Sequence, residues 1–328
     1  MQNATPTCAR IHIPLRDTAQ SFLHTSGMKI FLYAMILPLA ASAAEPASYK
    51  AVSSTSAGQG NFSEGVSLLG DHPVTETGSV DWSAGYTYSR TPVGADSNRT
   101  SAADLTVGYR GSWDVGGGLD LSGTPAENLT SFGPQGWVGY VFTWGNEARR
   151  SIEPKLTYHG DTYKQTFAAT SVTRAGSRRA VARPSAGSQS IHQNEWNLAV
   201  DVNPFDILGF RVSASSYKYN RDVNAFLATL DTPRAVSTGA SSFSTTLGGF
   251  PKNSVEVGVT LYPFDTWDLI LDITRTKVQA DNSTSTASKV EVEKEFSKAF
   301  KLGLGFDHET SAQLGEENLT LLDLTFEF

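Results

Sequence analysis

The side chains able to do chemistry in this chain recur at alternate positions instead of gathering in one motif. Asp81, Glu153, Glu195, Asp201, Glu256, Asp268, Asp272, Glu291, Glu293, Asp307 and Asp323 each sit beside an apolar residue, as do the fewer bases Arg110, Lys155, Arg211 and Lys301. A carboxylate-rich wet surface attracts cations and disfavours anions. The same groups paired across strands would instead fill a narrow interior, and Glu291 or Glu293 beside Lys301 suits such pairing. No catalytic or metal motif accompanies them. His159, His192 and His308 are far apart and lack the spacing of a metal-binding helix. Ser190 and His192 pair a nucleophile type with a base type, but no orienting group or oxyanion donor marks either. The expectation is therefore no catalytic residue, no metal and no cofactor. Arg174, Arg178, Arg179 and Arg183 form a separate basic run suited to phosphate oxygens.

Alternation of this kind needs strands, because only a period of two sends neighbours to opposite faces. It is clearest in the last stretch. Leu322, Leu324, Phe326 and Phe328 form one face, and Asp323, Thr325 and Glu327 the other. The pattern recurs from Val80 onward, with turns near Gly116, Gly145, Pro204, Pro263 and Lys298, and longer polar stretches between them. Gly116-Gly117-Gly118 reads as a tight turn. Trp82, Trp113, Trp144, Phe205, Phe264, Trp267, Phe296 and Phe300 fall at the short-turn ends, where rings with an apolar body and a wet rim mark a membrane interface.

The 328 residues are 39% hydrophobic, yet beyond the N-terminal region no apolar run is long enough for a helical span. Residues 28–44 read as a secretory signal: Met28-Lys29, an apolar core from Ile30 to Ala40, then Ala41-Ser42-Ala43. Residues 1–27 read as an upstream extension, and 45–77, rich in Ser, Thr, Gly and Ala, as a flexible periplasmic lead-in. Residues 78–328 are the strand-forming domain. The only cysteine, Cys8, lies in the leader, so disulfides and thiolate chemistry are not expected of the exported part. Removing residues 1–44 takes away three bases and one acid and moves the net charge from −7 to −9, which argues against nucleic acid as a partner.

The closing amphipathic strand Leu322, Leu324, Phe326, Phe328 resembles the C-terminal strand of bacterial outer-membrane β-barrel proteins, a porin-like family. That resemblance implies that these four residues are the signal read by the barrel-assembly machinery, and that the host is Gram-negative. The fold expected is an all-β, up-and-down antiparallel transmembrane barrel of about 12 strands, within a range of 10–14. Its place would be the outer membrane, in contact with outer-membrane lipid, with lipopolysaccharide phosphates at Arg174, Arg178, Arg179 and Arg183. The expected function is passive passage of small cationic or neutral solutes through a lumen lined by the alternating charged residues above. A closed barrel acting through its extracellular loops is the second reading, and a lipid-modifying enzyme the third.

Overall fold

The computed structural model describes residues 47–58, 61–75, 77–93, 96–124, 129–144, 150–167, 187–227, 250–311 and 315–328. The leader, the signal segment, Cys8 and the basic run Arg174 to Arg183 lie outside the described residues.

Consecutive strands pair antiparallel all the way along the chain. They are β1 (Ser48–Gly58), β2 (Asn61–Thr75), β3 (Gly78–Val93), β4 (Asp96–Arg110), β5 (Trp113–Thr124), β6 (Leu129–Tyr140), β7 (Phe142–Thr143), β8 (Ser151–Phe167), β9 (Gly187–Phe205), β10 (Leu208–Tyr219), β11 (Pro251–Phe264), β12 (Trp267–Val278), β13 (Thr284–Ser297), β14 (Phe300–Ser311) and β15 (Gly315–Glu327). A short helix, α1 (Val223–Leu227), follows β10. The two-residue β7 continues β6 past Val141, and both pair with β8. The first strand then pairs with the last, from Lys50 opposite Glu327 to Ala57 opposite Thr320. The result is a closed barrel of fourteen staves plus the β7 fragment. Closure removes every sheet edge, so the main-chain donors and acceptors of the wall find partners within it. The seam extends to the last residue: Phe328 N–H donates to Tyr49 O at 3.0 Å, and Tyr49 N–H to Phe328 O at 3.3 Å.

Two strands more than expected come from the stretch read as a flexible lead-in. Residues 48–75 form β1 and β2, and the barrel begins at Ser48, not at residue 78. The outward face of β1 carries Ala51, Ser53, Thr55 and Ala57, which give no oily period to read. Pairing with β2 on one side and β15 on the other holds this segment extended, and tertiary context overrides composition.

The Gly116-Gly117-Gly118 turn is likewise corrected. Those glycines lie inside β5, and the turn is at Gly111-Ser112. A Cβ at Gly116 would meet the Trp137 ring at 2.3 Å, so the glycine makes room for an inward indole on the next strand. Loop lengths also sort less cleanly than expected. Of the connections opposite the short turns, only 168–186 and 220–250 are long; those at 59–60, 94–95 and 312–314 are two or three residues in length. The polar stretch that follows Ser89 is the paired upper part of β3 and β4.

Candidate functional site: the inner wall of the barrel

Each strand sends every second side chain inward, so register fixes the composition of the inner wall. Arg110, Glu153, Lys155, Glu195, Asp201, Arg211, Glu256, Asp268, Asp272, Glu291, Glu293, Lys301, Asp307 and Asp323 all fall on this face. Asp104, Asp114, Asp120, Asp161, Lys289, Glu309, Glu317 and Trp137 share it, and sequence reading had not singled them out. Asp114 and Asp120 were hidden by the misread turn. Glu309 and Glu317 sit in upper strand ends where both faces are polar and the period of two disappears, whereas Asp104 lies between the outward Ala103 and Leu105.

Most of the inward bases form ion pairs with acids. Lys155 Nζ lies 2.5 Å from Asp114 Oδ2, whose other oxygen accepts from Trp137 Nε1 at 2.8 Å. Arg110 stands directly opposite Asp114 across β4 and β5. Arg211 lies 3.5 Å from Glu256 and 3.8 Å from Asp201. Lys289 pairs with Glu291 at 2.6 Å, and Lys301 with Glu293 at 2.5 Å and Asp268 at 3.0 Å. Lys50 meets Glu327 at 3.3 Å at the closing seam. His159 points Nε2 at Asp120, 2.7 Å away, with Asp161 3.6 Å from Nδ1. Glu195 accepts from Ser215 at 2.8 Å and Tyr217 at 3.0 Å. Among the described residues, Asp81, Asp104, Glu153, Asp307, Glu309 and Glu317 have no ion pair. Glu309 and Glu317 face each other across β14 and β15, and Glu317 accepts from Asn61 Nδ2. The wall thus carries an excess of carboxylate.

Width decides whether that wall encloses a passage. Fourteen strands spaced ~4.8 Å and tilted ~40° enclose a backbone cylinder roughly 28 Å across. Eight-stranded barrels are filled by side chains, whereas those of about 16–18 strands hold an aqueous channel; this barrel lies near the second kind. A polar recess of about 310 Å³ at the short-turn end is lined by Ser151, Asn203, Tyr262, Asp268, Glu295 and Lys301, among others.

The opposite end is narrowed by an element within the mostly polar connection 220–250. Val223 and Phe226 of α1, with Phe250, pack against Leu129, Tyr163 and Ile191, which face inward from β6, β8 and β9. Phe250 meets Tyr163, Tyr219 and Phe226 edge-on at centroid distances of 5.3, 5.4 and 5.9 Å. Asn224 Nδ2 donates to Ala280 O at 3.0 Å, tying α1 to the β12–β13 connection. Inward apolar residues on strands whose inner face is otherwise polar were the available signal.

The outer face is the reverse of the inner one. Large apolar side chains stand exposed on strand after strand, among them Val107, Leu119, Leu156, Leu198, Val212, Val257, Leu271, Leu304 and Leu322. The aromatic residues expected at one end sit there: Trp82, Trp113, Trp144, Phe205, Phe264, Trp267, Phe296 and Phe300 flank the short turns, with Phe264 70% exposed. They link into rows, Phe296–Phe300–Phe326 and Tyr49–Phe328, with Lys294 Nζ 4.6 Å from the centre of the Trp267 ring. A second aromatic level, unanticipated from the sequence, contains Tyr86, Tyr88, Tyr158 and Trp196, with the last two rings 4.9 Å apart. From Phe205 to Trp196 the outer face of β9 rises roughly 23 Å at ~2.5 Å per residue, close to the ~25 Å apolar band of membrane barrels. Ser190 and His192 are not brought together as a nucleophile and its base: both face outward, and His192 Nδ1 bonds Thr162 Oγ1 at 2.7 Å. His308 likewise faces outward and bonds Asn318 at 2.8 Å.

No protein-family model matches the chain, and no curated protein sequence matches it. Among solved structures it is similar to the KdgM porin (TM-score 0.38, 9% identity, covering 85% of this chain and 99% of that one). It is also similar to the outer membrane protein OpdK of Pseudomonas aeruginosa (0.40, 8%, 86% and 99%) and to Acinetobacter baumannii OccAB1 (0.45, 8%, 86% and 95%). These likenesses are distant, and the architecture of this chain rests on its own closed register.

Proposed function

We propose that the protein is an outer-membrane channel through which small cationic and neutral solutes pass passively. A closed barrel with an exposed apolar belt buries that belt in lipid, since no second layer covers it among the described residues. The segment 28–44 would direct export, and the strand ending in Phe328 would be read by the assembly machinery. One observation carries the solute preference: the inward lysines are held by wall carboxylates, while Asp81, Asp104, Glu153, Asp307, Glu309 and Glu317 form no ion pair among the described residues. A lumen of this kind concentrates cations and holds anions back.

Two measurements test the reading. Cell fractionation is expected to place the exported chain with the outer membrane; recovery as a soluble monomer without detergent would refute it. Planar bilayers with the purified protein are expected to show discrete conductance steps. The packing of α1 and Phe250 over the mouth favours a second reading, a closed barrel acting through its loops. Under that reading, correctly inserted protein would give no steps.

A further inference from the structure

Directly above the upper aromatic level, the outer face turns basic. Arg90 and Arg99 stand directly opposite each other on β3 and β4, both pointing outward and both exposed. Lys164, Lys218 and Arg275 are exposed on the same outer face, toward the same end of β8, β10 and β12. None of these five side chains has an ion pair among the described residues. The nearest outward acid in the register is Glu64, diagonal to Arg90 through Phe62 and Tyr88, and it forms no ion pair with it. Like charges set directly opposite on a sheet repel and destabilise it unless an anion lies between them. Guanidinium forks fit phosphate oxygens in a bidentate manner. The position also matters: apolar band, aromatic ring and basic rim follow one another along the strand, which is the order of acyl chain, interface and headgroup in a lipid leaflet.

We infer that Arg90 and Arg99 hold the phosphate groups of an outer-leaflet lipid whose acyl chains lie on the apolar band below; Lys164, Lys218 and Arg275 extend the basic rim on staves farther round the wall. This rests on the membrane reading of the barrel. It concerns the outside of the wall and is independent of what passes through the lumen. The site differs from the basic run 174–183, which lies outside the described residues.

The test uses the full exported chain in detergent, with bisphosphorylated lipid A and its phosphate-free counterpart as probes, and native mass spectrometry to count retained lipid. Insertion into zwitterionic vesicles and heat-modifiable migration are read first, without either probe. Failure there would refute the membrane reading itself. With insertion intact, wild type is expected to retain the bisphosphorylated lipid about tenfold more than the phosphate-free one. The double variant Arg90→Gln/Arg99→Gln is expected to lose most of that difference, and Lys298→Gln in the β13–β14 turn to keep it. Equal retention of the two lipids by wild type, or an unchanged ratio in the double variant, would overturn the inference. Should the double variant not assemble, the single variants Arg90→Gln and Arg99→Gln decide: a lowered ratio in either supports the inference, and an unchanged ratio in both overturns it.

Discussion

Adjacent residues on one strand face different solvents, and single charges expose the difference. On β12, Leu271 points outward and is 37% exposed, whereas Asp272 points inward opposite Gly258 and Lys289. An arginine at mid-membrane on a lipid face costs about 2–4 kcal/mol, but in a wet lumen it stays solvated. Leu271→Arg is therefore expected to lower the denaturant midpoint of vesicle-embedded protein by that amount, and Asp272→Arg to leave it nearly unchanged. Equal losses would mean that both faces are dry. This alternation was legible in the sequence wherever the outer side chain was Leu, Val, Ile or Phe, as at Val255 to Leu261. It was illegible where lipid no longer enforces it: around Arg99 and Glu309 both faces are wet, and residue type stops reporting direction. Trp137 was unreadable for another reason, since its inward direction depends on the space that Gly116 leaves on the neighbouring strand.

Among the elements, the seam and the mouth carry the sharpest expectations. At the seam, Phe328 is bonded through its backbone to Tyr49 and lies over the Tyr49 ring at 6.3 Å. Deleting Phe328 removes those bonds and the last apolar residue of the closing strand. The heat-modifiable, assembled fraction is expected to fall well below wild type; an unchanged fraction would show that β15 closes the barrel without it. The seam also explains why β1 was missed. Its Ser, Thr and Ala face has weak propensity, and it becomes a strand only because two neighbours offer it hydrogen bonds. At the mouth, Phe226 and Phe250 are each 1% exposed. Replacing a buried Phe by Ala costs about 3–5 kcal/mol. Phe226→Ala/Phe250→Ala should therefore release α1 from the inner wall, while the barrel's own hydrogen bonds keep the staves together. Conductance is expected to rise with stability of the barrel largely kept. No change in conductance would place α1 outside the conduction path.

At the scale of the whole molecule, the barrel separates its chemistry radially: carboxylates inside, apolar side chains and rings outside, and bases beyond the upper aromatic level. The class of fold was readable from alternation and the closing strand, but the size was not, because counting strands depended on segments whose pairing, not composition, makes them strands. Size matters for function, since fourteen staves leave room for water where eight do not. On the proposed reading, the excess of inner carboxylate sets the sign of the field along the passage. The most direct test is the reversal potential of the reconstituted wild-type protein across a planar bilayer under a tenfold potassium chloride gradient. The account predicts a potential of the sign that marks potassium as the more permeant ion, shifting toward chloride in Asp272→Arg. A wild-type potential at zero or on the chloride side would contradict it.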